Sequence, residues 1–270
     1  MDTVFPVSYW VGPPLEEDRY QEVAACGFTV VPVVVENASE GQRALDLLMR
    51  YGLKAAIIDP RVNRDMVSEP GWKETIQQVV KDYGTHPALY AYFITDEPSY
   101  GHFHDLGQIV QVFMECDPDH APYINLFPSY ANHDQLGTLE YRRHVRRYLE
   151  IVRPPLLSYD HYALFEDDVD RPSYFHDLAV NREESLRVGI PFWNIILSTP
   201  HFNYRDPSAE DMRWQVYTSL AYGAKGLGYF TYWTPDVENY RNGIIDIYGE
   251  KTPKYAIVRH LNREIEKFAP

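Results

Sequence analysis

The chain has 270 residues and a net charge of −14, from 39 acidic against 25 basic residues. This acidic balance argues against a nucleic acid or an anionic membrane surface as partner, since both favour basic patches. No apolar run approaches the roughly 18 residues of a transmembrane helix. The first residues lack the features of a signal peptide, so the compartment stays open. The two cysteines, Cys26 and Cys116, are expected to be ordinary buried thiols in separate helices.

One pattern repeats along the chain: a short apolar strand, a polar loop and an amphipathic helix. The predicted strands span 5–11, 28–35, 53–59, 88–97, 122–127, 155–160, 191–198 and 226–233. The predicted helices span 16–26, 40–51, 72–83, 104–116, 138–152, 173–188, 208–222 and 254–268. Ser208 and Asp211 are expected to form a capping box at the start of one helix. Eight strand–helix units in alternation, with no Gly/Ser linker, predict an α/β fold, a (β/α)₈ TIM barrel in one domain over residues 1–270.

The fourth strand ends in two adjacent carboxylates, Asp96 and Glu97, followed by Pro98, which cannot donate to a sheet ladder. Buried carboxylates are costly unless paired or hydrogen-bonded, so folding alone does not call for two of them here. Asp96 or Ser99 could cap the following helix, which explains one acidic residue better than both. Period-two alternation places Glu97 on the inward row with Phe93 and leaves Asp96 off it. Glu97 is therefore the preferred functional carboxylate.

In a (β/α)₈ barrel the active site is built from the carboxyl-terminal strand ends and the loops after them. Polar and aromatic side chains converge there in this sequence. The predicted rim residues are Tyr9, Trp10, Glu36, Asn37, Asp59, Arg61, Asp96, Glu97, Asn125, Asp160, His161, Tyr162, Ser198, Thr199, His201, Tyr232 and Trp233. Taken one at a time, most of these residues are explained equally well by a structural role, in which the side chain hydrogen-bonds to loop backbone. The convergence of so many such residues is what indicates an active site.

Two carboxylates beside aromatic platforms suit glycoside hydrolysis, in which one protonates the leaving oxygen and the other attacks the anomeric carbon or activates water. Aromatic faces stack on sugar rings, while amides and imidazoles bond sugar hydroxyls. The predicted substrate-binding residues are Trp10, Asp59, Asp96, Asn125, His161, Tyr162, His201 and Trp233. Phosphoryl transfer and a serine triad are unsupported, because neither a glycine-rich phosphate loop nor a G-x-S-x-G elbow occurs. A carbohydrate substrate is expected, with no metal and no cofactor.

Short stretches of the sequence resemble clan A glycoside hydrolases. Ile94-Thr-Asp-Glu-Pro98 resembles the fourth-strand motif of that clan, where Asn-Glu-Pro is usual and Asp-Glu-Pro a known variant. Gly228-Tyr-Phe-Thr-Tyr-Trp-Thr-Pro235 resembles the clan's last strand, whose closing Trp forms the floor of a sugar subsite. The resemblance implies that Glu97 is the general acid/base and Trp233 the sugar platform.

The chain departs from the clan at the seventh strand, where the clan's nucleophilic Glu is expected. Here that strand ends Leu197-Ser-Thr-Pro-His201, without a carboxylate. Asp160, at the end of the sixth strand, is the predicted partner of Glu97; its plain structural role would be to orient a neighbouring Arg or Tyr. Other sugar-cleaving barrels resemble this layout, and in some the fourth-strand group is the nucleophile, so the two roles stay open. Weaker reserves on the last loops are Asp206, Asp236 and Glu238.

Two alternatives compete with hydrolysis. A metal-dependent isomerase or aldolase would use Glu97, Asp160, His161 and His201 as ligands, since mixed carboxylate–imidazole sets bind Mn, Zn or Fe. No H-x-H or H-E-x-x-H spacing supports that alternative. A non-catalytic carbohydrate-binding barrel is the second, motivated by the missing seventh-strand carboxylate. Neither the sugar nor an oligomeric state follows from the sequence.

Overall fold

The computed structural model describes residues 4–167 and 169–268, and these form the expected (β/α)₈ barrel. The strands are β1 Val7–Trp10, β2 Val30–Val34, β3 Lys54–Ile58, β4 Leu89–Asp96, β5 Ala121–Leu126, β6 Leu157–Asp160, β7 Phe192–Leu197 and β8 Gly226–Phe230. They pair in parallel in the order β1-β8-β7-β6-β5-β4-β3-β2. The outer members, β1 and β2, meet where the Thr29 N–H donates to the Val7 carbonyl (2.9 Å) and the Thr29 hydroxyl accepts from the Val7 N–H (2.8 Å). The barrel is therefore nearly closed.

Helices cover the outside of the barrel. They are α1 Glu17–Ala25, α2 Ala38–Arg50, α3 Trp72–Tyr83, α4 Phe103–Cys116, α5 His133–Leu136, α6 Tyr141–Ile151, α7 Tyr174–Val188, α8 Ala209–Ala221 and α9 Pro253–Phe268, with 3₁₀ turns at Met66–Ser68 and Tyr100–His102. The capping box expected at Ser208 and Asp211 is present at the start of α8. A second one, Asn132 with Gln135, starts the unexpected short helix α5. In the part of the chain that the structure describes, no helix has the length and apolarity to cross a membrane.

The expected end of β8 and the expected burial of Cys116 need correction. β8 ends at Phe230, three residues before the predicted boundary at 233. The reason is that the Thr231 carbonyl accepts from the hydroxyls of Ser198 and Thr199 (3.1 and 3.3 Å) instead of from a backbone N–H of β7. Cys116 is exposed at the end of α4 rather than buried.

A β-bulge in β4 sets the direction of its last side chains. The pairing of β4 with β5 shifts register between Phe93 and Thr95, so that Asp96 lies opposite Asn125. The expectation that Asp96 lies off the inward row is therefore wrong, because the extra residue of a bulge reverses the alternation after it. Glu97 follows with a left-handed φ of 44°, and its N–H donates to the Asn125 carbonyl (2.8 Å). Both carboxylates consequently reach the barrel mouth.

A small apolar cluster fills the barrel below this mouth. It comprises Val30, Ala56, Ala91, Tyr123, Leu156 and Trp193. The Trp193 indole fits because its neighbour in β8 is Gly226. A Cβ on Gly226 would lie 2.5 Å from the indole nitrogen. The larger apolar core lies between the outer faces of the strands and the helices.

Gly226→Ala is expected to destabilise the protein by about 1–3 kcal/mol, because the added methyl overpacks the barrel interior. Urea denaturation followed by circular dichroism measures the change. Gly101→Ala is the control, since a Cβ there would meet no atom nearer than 3.6 Å. Equal stability of the two variants would contradict the close contact with Trp193.

Candidate active site

A cleft of about 260 Å³ opens at the carboxyl-terminal rim of the barrel. Its polar lining residues come from the ends of β4, β5 and β6 and from the loop after β7: Asp96, Glu97, Asn125, Asp160 and His201. Its aromatic lining residues are Trp10, Tyr130, Tyr162, Phe202, Tyr204, Phe230 and Tyr240. None of the described lining residues is Lys or Arg. The cleft is thus an acidic, aromatic-walled site at the expected end of the barrel.

The Asn125 side chain fixes two of the three carboxyl groups. Its amide nitrogen donates to Asp160 Oδ1 (2.8 Å) and to Asp96 Oδ1 (3.1 Å). Its amide oxygen accepts from the Ser158 hydroxyl (2.9 Å), which also contacts the Tyr123 hydroxyl (3.0 Å). Asn125 and Ser158 are neighbours in the pairing of β5 with β6, so regular strand geometry sets the position of the amide.

The carboxyl groups of Glu97 and Asp160 line the same cleft, close enough for each to shift the pKa of the other. Burial and the charge of Asp96 raise the pKa of Glu97 to about 7. Burial, with the charges of Glu97 and Asp96, raises the pKa of Asp160 well above its ordinary value. Two carboxyl groups this close cannot both ionise readily, so the pair holds one proton near neutral pH.

Asp96 lies at the rim of the cleft, where it remains exposed to solvent. The surrounding protein still desolvates it enough to raise its pKa to about 6. Asp96 is therefore mostly ionised at neutral pH. Together with the singly protonated pair, it gives the cleft about two negative charges near pH 7.

Among the described residues that line the cleft, His201 is the one that carries an imidazole. Its Nδ1 lies 2.8 Å from the Thr199 carbonyl, which can only accept, so Nδ1 carries the hydrogen. Burial lowers the pKa of His201, which keeps the ring neutral and leaves Nε2 as an acceptor. The ring stacks on Tyr240 at 4.8 Å and packs against Phe230 at 5.1 Å.

Two of the predicted binding residues serve the structure behind the cleft. Asp59 accepts from Arg61 Nη2 and from the Tyr83 hydroxyl, both at 2.7 Å, and so joins the end of β3 to α3. Burial alone would raise the pKa of Asp59, but these hydrogen bonds outweigh it and lower the pKa. His161 is fully buried, with its Nδ1 2.8 Å from Asp177 of α7. Neither side chain lines the cleft.

Trp233 also lies outside the residues that line the cleft. It is half-buried, with the Arg19 guanidinium 5.3 Å from its ring centroid. The backbone of Gly249 approaches the far edge of the indole so closely that a Cβ there would lie 2.8 Å from it. Phe230, at the observed end of β8, is the aromatic residue of that strand that faces the cleft.

Several lining residues were missed by the sequence analysis: Tyr130, Phe202, Tyr204, Phe230 and Tyr240. Phe230 could have been found, because it follows Gly226 and Gly228 on the inward row of β8. The others are on loops, where alternation carries no information about direction.

The donor set of the metal-dependent alternative does not come together. His161 contacts Asp177 behind β6, away from Glu97 and His201. Among the described residues, no group of three or more His, Cys, Asp or Glu side chains is arranged to hold a metal ion.

No protein-family model and no curated protein matches the sequence. Among solved structures, the fold is similar to the β-galactosidase of the psychrophilic Marinomonas ef1, with a TM-score of 0.69 and 12% identity over 98% of this chain and 60% of that one. It is also similar to the GH2 β-galacturonidase of Eisenbergiella tayi bound to glycerol, with a TM-score of 0.62 and 16% identity over 93% of this chain and 47% of that one. A third similar structure is the β-D-glucuronidase of Dictyoglomus thermophilum, with a TM-score of 0.61 and 10% identity over 97% of this chain and 50% of that one. These neighbours are glycoside hydrolases, and at such identities the likeness shows the TIM-barrel fold.

The raised pKa values predict how stability depends on pH. Asp96 and Glu97 titrate near 6 and 7 in the folded protein, above the ordinary values of about 4. Between about pH 4 and pH 7 the folded state therefore binds more protons than the unfolded state. These two groups consequently lower the free energy of unfolding as the pH rises through this range. Glu97→Gln removes one such group, and its melting temperature relative to the wild type is expected to increase from about pH 4 to about pH 8.

Thermal unfolding of both proteins over this range measures the effect. Glu115→Gln, at the exposed end of α4, is the control and should show no comparable trend. A decrease in the relative melting temperature of Glu97→Gln with rising pH would contradict the raised pKa.

Proposed function

We propose that the protein is a glycoside hydrolase in which Glu97 is the general acid/base and Asp160 the nucleophile. The observation that carries this proposal is the pair of neighbouring carboxyl groups, Glu97 and Asp160, in an aromatic-walled cleft. Glycoside hydrolysis needs one protonated and one ionised carboxyl group at the same time. A pair that holds a single proton near neutral pH supplies both.

The surroundings of the two carboxyl groups differ, and this difference supports the roles. The Asn125 amide donates to Asp160, which favours its ionised form. The negative charge of Asp96 raises the pKa of both groups, so it does not distinguish them. When a sugar enters and separates the pair, the Asn125 hydrogen bond stabilises the charge on Asp160 and leaves the proton on Glu97.

The reaction then follows in two steps. Glu97 gives its proton to the glycosidic oxygen while Asp160 attacks the anomeric carbon, so the bond to the leaving group breaks and an alcohol departs. The ionised Glu97 next removes a proton from water, whose oxygen attacks the anomeric carbon and releases Asp160 as a carboxylate. The aromatic walls would stack on the sugar ring, and Asp96 and His201 would accept from its hydroxyls.

The closeness of the pair supports retention of configuration. A retaining pair is about 5–5.5 Å apart, whereas an inverting pair needs about 6.5–9.5 Å to admit a water molecule. Glu97 and Asp160 lie close enough for each to shift the pKa of the other, which favours the shorter separation. Proton NMR of the first-formed sugar distinguishes the two outcomes, because only retention gives a product with the anomeric configuration of the substrate.

Glu97→Gln is expected to lower hydrolysis by about 10²–10⁴-fold, because glutamine cannot donate or accept the transferred proton. Aryl glycosides and oligosaccharides of several sugars, assayed with the wild type and the variant, measure the loss. Glu115→Gln is the control for removal of a carboxylate and should keep full activity.

Activity of Glu97→Gln within about tenfold of the wild type would contradict the role of Glu97. A wild-type protein that binds sugars but hydrolyses none of them would instead indicate the non-catalytic carbohydrate-binding barrel.

Phe230→Ala is expected to weaken sugar binding severalfold, because the variant removes an aromatic face from the cleft. Trp233→Ala is expected to lower the melting temperature instead, since Trp233 packs on Arg19 and Gly249. Calorimetric titration and thermal unfolding of both variants separate the two effects. If Trp233→Ala weakened sugar binding more than Phe230→Ala did, Trp233 rather than Phe230 would be the residue that stacks on the sugar ring.

A further inference from the structure

The charged groups of the cleft are all acidic. Asp96 and the Glu97–Asp160 pair offer carboxylate oxygens, and the Asn125 amide nitrogen already donates to Asp96 and Asp160. The tyrosine hydroxyls and the Trp10 indole N–H can donate to a ligand, but they bring no charge to balance the carboxylates. A ligand with a positively charged donor would therefore complement this set of side chains.

His201 adds a second, independent acceptor to the cleft. The residue is 2% exposed, and its Nδ1 is committed to the Thr199 carbonyl. His201 lines the cleft, and Nε2 makes no hydrogen bond with a described residue. This nitrogen of a neutral imidazole can accept a hydrogen bond from a ligand.

No cationic side chain in the described lining neutralises the carboxylates. The Arg171 guanidinium lies 3.7 Å from the Tyr130 ring centroid, but Arg171 is not among the described residues that line the cleft. Its donors are directed to the Tyr162 carbonyl (3.2 Å) and the Tyr204 hydroxyl (3.1 Å).

We infer that the cleft binds a sugar that carries a protonated amine, with Asp96 as the residue that contacts the ammonium group. This inference rests on the proposed function, which supplies the sugar ring, and it adds that the sugar carries a positive charge. Asp96 suits the role because it lies at the rim, has one carboxylate oxygen free of Asn125, and belongs to a cleft with uncompensated negative charge. An ammonium group brings three donors, and a positive charge that none of the described lining side chains supplies.

The test compares each amino sugar with its parent: glucosamine with glucose, galactosamine with galactose, and mannosamine with mannose. Calorimetric titration near pH 7 should show that at least one amine binds about tenfold more tightly than its parent, as expected for a charge-assisted contact. Asp96→Asn, which still accepts from Asn125, should reduce that preference to within about threefold. Glu115→Gln should leave the preference unchanged.

The preference should also fall from about pH 7 to about pH 5. Asp96 and the Glu97–Asp160 pair gain protons in this range, and protonation of His201 acts in the same direction, whereas the amine stays mostly protonated throughout. Burial raises the pKa values of Tyr130, Tyr162 and Tyr240, so these hydroxyls do not ionise there.

Equal or weaker binding of all three amines, or no binding of any of them at about 50 mM, would overturn the inference. A preference that persists in Asp96→Asn would overturn the assignment to Asp96. Because these titrations need no turnover, they are independent of the hydrolase proposal, which depends on the loss of activity in Glu97→Gln.

Discussion

Three carboxyl groups occupy one small cleft, and the described residues that line it include no Lys or Arg. Their mutual repulsion is the constraint on which the rest of the rim depends, because unpaired buried charges are costly. The structure relieves it in two ways. Glu97 and Asp160 share a proton, and the Asn125 amide donates to both Asp160 and Asp96. Clustering carboxyl groups in this way lowers the stability of the fold but keeps one carboxyl group protonated near neutral pH.

The surrounding loops are held by side chains that bond to backbone. Gln215 of α8 donates to the Leu197 carbonyl (3.0 Å) and accepts from the Leu197 N–H (2.9 Å), which fixes the end of β7. Lys254 donates to the Ser198 carbonyl (2.7 Å) in the next part of that loop. Asn239 exchanges two hydrogen bonds with the backbone of Phe202. The loop that carries His201 is therefore fixed from several sides, as a preorganised site requires.

The missing seventh-strand carboxylate has a counterpart in this arrangement. The end of β7 presents Leu197, Ser198 and Thr199, whose polar groups bind α8, α9 and the chain after β8. In the proposed mechanism the acidic partner of Glu97 instead comes from β6, where Asp160 faces the same cleft. A barrel can accommodate such a change because each strand end contributes to the same mouth.

The sequence by itself determined the barrel, because eight alternating strand and helix patterns leave few other topologies, and it directed attention to Glu97, Asp160 and Asn125 at the strand ends. The tertiary structure alone decided that Asp96 faces the cleft, since a bulge in β4 is invisible to period-two alternation. It also placed Phe230 rather than Trp233 at the cleft, because β8 ends where side chains of the β7 loop take over its hydrogen bonds. Direction at a strand end depends on such non-local contacts, and a one-dimensional pattern does not contain them.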